Sequence, residues 1–224
     1  MAALPSVAVI VTGANLDPKN IPQVETLVEE FTNLSPTERD NERGSFVEKA
    51  FPLFFDENAV VHGSSAYEAQ RQVPCHDFRT MSSQPSLEVY ETVERVRVEQ
   101  EGLLSDVEEL RISNVIQPMS SISIKQSREV SGNPLGLEEV GQQWFLAMAD
   151  WNNPADGGHV RQAMRHIVDA VEATAKANGT YLPYHYCNYA SPDQDPLASY
   201  GTENLEKLRE IASKYDPDGV FQTL

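Results

Sequence analysis

Hydrophobic residues recur along this chain at two spacings, one typical of helices and one typical of strands. The helical spacing predicts amphipathic helices at residues 23–33, 86–101, 159–177 and 203–214. The third has the most continuous apolar stripe, which is formed by Val160, Ala163, Met164, Ile167, Val168 and Val171. Because such a stripe is buried against a neighbouring element, we expect this helix to pack on a sheet.

The strand spacing marks residues 4–12, 110–116, 142–151 and 181–190. In the third of these, the alternation predicts that Trp144, Leu146 and Met148 share one face. In the last, it predicts that Tyr184, Tyr186 and Asn188 do so. Pro118 is expected to close the second strand. Ile122 and Ile124 alternate in the same way before residues 125–136 pass into a loop.

The order of these elements is strand, helix, a segment that does not show a clear pattern, helix, strand, strand, helix, strand, helix. Two-residue hairpin signals are lacking, and helices separate many of the strands. We therefore predict an α+β fold, a mostly antiparallel sheet with helices packed on one face. Residues 1–224 are expected to form one domain.

Charge and cysteine content exclude several kinds of partner and site. The formal net charge is −17 and the isoelectric point is about 4.6, which disfavours nucleic acid and anionic membranes as partners. Cys75 and Cys187 are too isolated to suggest a disulfide framework or a zinc site. The apolar run at residues 7–11 is too short to span a bilayer and has no basic flank, so a cytoplasmic location is expected.

Some local groupings suggest chemistry but are better explained otherwise. Cys75 and His76 resemble a thiolate pair, yet adjacent strand residues point to opposite faces. His62, His76 and Asp77 do not have a recognised metal-ligand spacing, and no metal site is predicted. The aromatic residues between positions 46 and 55 are consistent with a ligand pocket, but core packing is the favoured interpretation.

The most specific stretch lies near the C-terminus, where several short motifs follow one another in a fixed order. They are Tyr186-Cys187-Asn188-Tyr189-Ala190, Asp195-Pro196, Ser199-Tyr200-Gly201, Asn204-Leu205, Leu208-Arg209 and the run Lys214-Tyr215-Asp216-Pro217-Asp218-Gly219-Val220-Phe221. Together they resemble the berberine-type C-terminal region of oxygen-dependent FAD-linked oxidoreductases, in particular fungal members that act on secondary metabolites. The resemblance is concentrated in residues 181–224, and residues 114–119 and 133–137 extend it upstream.

The resemblance implies a substrate domain whose free sheet face covers the flavin ring. On this basis Tyr186 and Asn188 are the candidate catalytic residues, with Asn188 also contacting FAD. Tyr186 would polarise or deprotonate a substrate hydroxyl if its pKa were lowered. Tyr184, Trp144, Leu146 and Met148 are assigned to substrate binding. The alternative is that these tyrosines are simply good strand formers.

The family's FAD-binding domain has no counterpart in this sequence, which contains neither Gly-x-Gly-x-x-Gly nor Gly-x-x-x-x-Gly-Lys. Gly157-Gly158-His159 is like the site of covalent flavin attachment, but it leads into a predicted helix. We therefore expect the purified chain to be colourless and not to take up FAD at micromolar concentration.

Three functions stay open on these grounds. The chain is the substrate half of an FAD-linked oxidoreductase that works with an FAD domain supplied elsewhere, a cofactor-free cyclase or isomerase, or a binding module without chemistry. In each case the expected ligand is a small molecule. An FAD-domain partner or a homodimer would cover the face that carries Tyr186 and Asn188, because a bare aromatic patch is rare on a soluble monomer.

Overall fold

A computed structural model describes residues 11–13, 21–34, 74–130 and 132–220. Most of the predicted first strand, the aromatic segment at 46–55 and His62 lie outside the described residues. The structure therefore does not test the predictions for them.

The centre of the fold is a five-stranded sheet in which every neighbouring pair of strands is antiparallel. The strand order is β1-β3-β4-β2-β5. The strands are β1 (Val11–Gly13), β2 (Cys75–Ser83), β3 (Arg111–Met119), β4 (Gln142–Trp151) and β5 (Tyr181–Leu182). The two long pairings, β2 with β4 and β3 with β4, place residues of three strands in common rows across the sheet.

The described helices lie between these strands or follow the last one. They are α1 (Ile21–Asn33), α2 (Leu87–Leu103), α3 (Ser121–Val130), α4 (Gly157–Ala177) and α5 (Thr202–Tyr215). Helix α4 confirms the predicted stripe, because the six residues that define it are all buried. It also confirms that Gly157 and Gly158 open a helix.

The main core lies between one face of the sheet and helices α2 and α4. Phe145 and Ala147 of β4 and Ile112 of β3 face these helices, and the side chain of Ile167 is 0% exposed. A buried cation in this layer is paired: the guanidinium of Arg97 donates hydrogen bonds to Glu94 and Glu101. The predicted α+β class with helices on one face of an antiparallel sheet is confirmed.

Two predictions around β3 are wrong in detail. The strand continues through Pro118 to Met119. The described pairing with β1 ends at Ile116, whereas Pro118 and Met119 still pair with Gln143 and Gln142 of β4. Ile122 and Ile124 belong to helix α3 rather than to a strand. The Ser120 hydroxyl accepts a hydrogen bond from the Ile122 amide and so caps the start of the helix.

The predicted strand at residues 181–190 is also wrong beyond its first two residues. Strand β5 ends at Leu182, and residues 187–189 form a single 3₁₀ turn. Pro183 lacks the N–H that a ladder requires, which explains why pairing with β2 stops there. The last helix was predicted over residues 203–214. It begins at Thr202, and Gly201 precedes it with a φ of 86°.

In the part of the chain that the structure describes, no helix combines the length and the apolar character that a membrane span requires.

Candidate functional site

The second face of the sheet, opposite helices α2 and α4, carries the even-numbered residues of β4. Side chains alternate along a strand, so Trp144, Leu146 and Met148 share this face as predicted. The register places Ser82, Thr80 and Phe78 of β2 beside them in successive rows. We call this surface the aromatic face, after the rings that gather on it.

Residues 183–201 fold over one end of the aromatic face because side chains of this segment fasten it to β2. The side-chain amide of Gln194 makes the two backbone hydrogen bonds at Thr80 that a neighbouring strand would otherwise make. Its Oε1 accepts from the Thr80 amide at 3.1 Å, and its Nε2 donates to the Thr80 carbonyl at 2.7 Å. A side chain thus satisfies a sheet edge that β5 leaves unpaired.

A second attachment is ionic. Asp193 accepts hydrogen bonds from Arg79 Nη1 of β2 at 2.6 Å and from Arg165 Nε of α4 at 2.8 Å. The bond from Arg79, supported by that from Arg165, holds the pKa of the Asp193 carboxyl well below its usual range. Together with Gln194, this contact positions the aromatic residues that precede it in the chain.

Trp144 is the ring on which the others pack. Its ring centroid lies 4.9 Å from that of Tyr184 and 4.7 Å from that of Tyr186. Tyr184 stacks in turn on Tyr200 at 5.9 Å. Burial raises the pKa of Tyr184 strongly, and it raises that of Tyr200 to about 12. These two hydroxyls therefore stay protonated across the physiological range.

Tyr186 differs from its neighbours because its hydroxyl has a specific partner on the surface. The Asn188 amide Nδ2 donates to the Tyr186 hydroxyl oxygen at 2.9 Å. Burial raises the pKa of Tyr186, and the Asn188 hydrogen bond offsets only part of that rise. A phenolate base would need a lowered pKa, and the pKa of Tyr186 is raised instead. Tyr186 is therefore a neutral phenol at neutral pH.

The aromatic contacts continue from Tyr186 along the face. Tyr189 meets Tyr186 edge to face, with ring centroids 5.5 Å apart, and it lies 5.6 Å from Phe78. Neither Tyr189 nor Phe78 was predicted to belong to the site. Tyr189 stands next to the Tyr-x-Asn motif in the sequence, whereas the position of Phe78 depends on sheet register, for which the sequence has no local signal.

The opposite side of this cluster rests on the loop at residues 132–137. The Asn204 amide of α5 donates to the carbonyls of Asn133 and Tyr200, at 3.0 Å in each case. Gly136 has a φ of 68°, and a Cβ atom there would lie 2.2 Å from the Tyr200 carbonyl oxygen. A residue without a side chain is therefore required for the loop to approach Tyr200 this closely.

The predicted site residues divide into two groups by exposure. Trp144, Leu146 and Tyr184 are 8%, 4% and 3% exposed, so they form the buried layer on which the exposed residues of the site pack. Met148 and Tyr186 are partly exposed, and Asn188 is exposed. Only this second group can touch a ligand without a rearrangement. His159, the residue weighed for flavin attachment, is exposed in the first turn of α4, which packs on the other face of the sheet.

FAD is implied by the resemblance, and the described residues fit one end of it. The rings around Tyr186 with the exposed Asn188 amide suit a flat heterocycle that needs edge hydrogen bonds. We find no comparable cradle for the pyrophosphate among the described residues of this face.

The comparisons with known proteins agree with the sequence motifs. Residues 185–223 match the family described as berberine and berberine like. An FAD-dependent monooxygenase of Arthrobotrys oligospora is 40% identical over 110 residues, 49% of this chain and 22% of that protein. The bifunctional solanapyrone synthase of Alternaria solani is 27% identical over 209 residues, 89% of this chain and 39% of that protein. The chain thus spans well under half the length of these relatives.

A solved structure supports the fold. Chitooligosaccharide oxidase aligns with a TM-score of 0.50 and 14% sequence identity, over 92% of this chain and 52% of that protein. At this identity the likeness bears on the fold alone. The family match and the similar FAD-dependent monooxygenase confirm the resemblance that the C-terminal motifs predict, with residues 185–223 similar to the berberine-like family.

Proposed function

We propose that residues 1–224 form a substrate domain that supplies the substrate-side wall of an FAD-linked oxidoreductase acting on an aromatic secondary metabolite. The observation that carries this proposal is the hydrogen bond from Asn188 to the Tyr186 hydroxyl, made on the partly exposed side of the Trp144 cluster. A polar pair of this kind on an apolar ring surface suits a flat ligand that presents one oxygen atom.

The chemistry follows from the direction of that hydrogen bond. Because the Asn188 amide donates to the phenolic oxygen, the Tyr186 proton is left to point at a ligand. A neutral tyrosine then hydrogen-bonds to the oxygen of a substrate alcohol. As the hydride leaves the carbon, the alcohol proton passes to the Tyr186 oxygen while the Tyr186 proton is released to solvent, which the partly exposed side chain reaches. Whenever Tyr186 gives up its proton, the Asn188 N–H stabilises the negative charge that is left on the phenolic oxygen.

The flavin, when bound, supplies a hydride acceptor for the carbon that carries this oxygen. The chain's own contribution is to orient the ligand on the rings of Tyr186 and Tyr189 and to control the proton on the substrate oxygen. Asn188 would serve both the tyrosine and the flavin edge. The partner that holds the remainder of FAD is a separate polypeptide or a further segment of chain.

The proposal is tested by anaerobic flavin reduction. The purified chain is mixed with FAD in the millimolar range, above the micromolar concentrations at which we expect no uptake, and with a panel of benzylic and allylic alcohols. Flavin bleaching is followed by absorbance in a short-path cell. We expect bleaching that requires both the chain and an alcohol. Bleaching no faster than in the protein-free control contradicts the proposal. Conversion of the alcohol when FAD is omitted would support the cofactor-free enzyme instead.

A further inference from the structure

At the far end of the aromatic face, an imidazole and a buried carboxylate lie opposite each other on β2 and β4. The sheet register pairs His76 with Asp150, and His76 Nδ1 lies 2.5 Å from Asp150 Oδ1. The carboxylate side chain is 6% exposed, whereas the imidazole side chain is 35% exposed. The contact therefore joins a group held inside the protein to one that solvent and ligands can reach.

This arrangement fixes the chemistry of the imidazole. A carboxylate can only accept a hydrogen bond, so the proton of the contact resides on Nδ1. In the neutral ring, Nε2 then carries the lone pair and is a proton acceptor. Asp150 also stabilises the imidazolium that forms when Nε2 takes up a proton, in the way that a buried carboxylate supports a catalytic histidine.

The pair lies on the same face of the sheet as Trp144, on which the ring of Tyr186 packs. The row Arg111–Asp150–His76 crosses β3, β4 and β2 on the face that carries Trp144. Phe78 lies in the next row. It contacts Tyr189, which in turn contacts Tyr186. Asp150 lies six positions after Trp144 on β4, which corresponds to about 20 Å along the strand. Aromatic side chains span much of this distance.

We propose that His76 and Asp150 form a second acid–base site on the aromatic face, which takes up the proton of an acidic hydroxyl, a phenol or an enol, at one end of an elongated apolar ligand. The ligand O–H bond breaks, and an N–H bond forms at Nε2. The ligand anion and the imidazolium remain as a contact pair, with the Asp150 carboxylate hydrogen-bonded to the other ring nitrogen. His76 is the group that touches the ligand, and Asp150 is a positioning residue.

The site does not depend on the function proposed for Tyr186, and its test needs no flavin. The probe is 4-nitrophenol, whose visible absorbance reports its own ionisation, and the control probe is 4-nitroanisole, which lacks the acidic proton. At a pH below the pKa of free 4-nitrophenol, we expect the bound probe to show the nitrophenolate band. We also expect it to bind at least about ten-fold more tightly than 4-nitroanisole.

Variants separate this role from a structural one. His76→Gln should abolish the nitrophenolate band and the preference for 4-nitrophenol, whereas His166→Gln, at an exposed position on α4, should leave both unchanged. Asp150→Asn should lose the band while the binding of 4-nitroanisole is retained. Tyr186→Phe should keep the band, so a failure of the oxidoreductase proposal would not affect this one.

Several results would overturn the proposal. They are equal affinity for the two probes, no ionised probe on the protein, or wild-type behaviour in His76→Gln. Thermal unfolding of each variant is measured alongside. Because His76 is partly exposed, we expect His76→Gln to fold, and it keeps the test decisive even if Asp150→Asn does not.

Discussion

The two faces of the sheet are built on different principles. The face that packs on α2 and α4 is made of aliphatic and aromatic side chains that repeat with the period of each element, and Ile167 and Val171 are completely buried there. One end of the aromatic face is covered by a segment with almost no regular structure, which Gln194, Asp193 and Asn204 hold in place. The first face provides stability, and the second positions polar groups beside rings.

This difference predicts how each face responds to mutation. On the helix-backed face, the free energy of unfolding depends on burial, so the largest losses follow the introduction of a charge. On the aromatic face, it depends on close approaches and single hydrogen bonds, each of which contributes less. Substitutions at the exposed polar pair should change chemistry and leave stability nearly intact.

The largest effect is expected at the centre of α4. Ile167→Asp places an unpaired carboxylate where the side chain is 0% exposed, and it should lower the free energy of unfolding by on the order of 4 kcal/mol. Gln162→Asp, at an exposed position of the same helix, is the matched control and should change it by less than about 0.5 kcal/mol. Urea denaturation measures both. Equal stability of the two variants would show that α4 is not packed on the sheet.

An intermediate effect is expected where the 132–137 loop meets Tyr200. Gly136→Ala combines a positive φ with a Cβ that collides with the Tyr200 carbonyl, and it should cost on the order of 3 kcal/mol. Gly102→Ala is the control, because a Cβ at this helical position meets no atom within 4 Å. It should be neutral or stabilise by up to about 1 kcal/mol. If Gly136→Ala were equally harmless, the contact with Tyr200 would not be essential to the aromatic face.

The same division explains what the sequence could predict. Helix α4, strand β4 and the antiparallel α+β fold follow from hydrophobic period, because burial enforces that period over many residues. The alternating tyrosines after Leu182 have the pattern of a strand, but Pro183 ends the pairing, so the pattern alone predicts the wrong structure there. The Tyr186–Asn188 contact is indicated only by the family motifs. The His76–Asp150 pair depends on register between distant strands, which no local pattern specifies.

A smaller, pH-dependent effect is expected from Asp193. Its pKa in the folded protein lies below the ordinary value of 3.8, mainly because of the Arg79 hydrogen bond. The stabilisation is therefore fully present above that value and is lost as the pH falls below it toward the folded pKa. Since the carboxylate is 42% exposed, solvent screening limits the effect to about 1 kcal/mol.

Denaturation at several acidic pH values tests this assignment. Asp193→Asn should be less stable than wild type at pH 6, and the two curves should converge as the pH approaches 2. Asp169→Asn, an exposed position on α4, should follow wild type throughout. A constant gap between Asp193→Asn and wild type at all pH values would exclude the ionic contact as its cause.

The smallest effect on stability and the largest on chemistry are expected at Tyr186. Tyr186→Phe removes one partly exposed hydroxyl and keeps the ring on Trp144, so the free energy of unfolding should change by no more than about 1 kcal/mol. In the anaerobic assay with FAD and an alcohol that the wild type oxidises, flavin reduction should slow by at least about 100-fold, because the hydroxyl that orients the substrate oxygen and relays its proton is lost. Wild-type rates in a stably folded Tyr186→Phe variant would contradict the role of the Tyr186–Asn188 pair and with it the proposed substrate site.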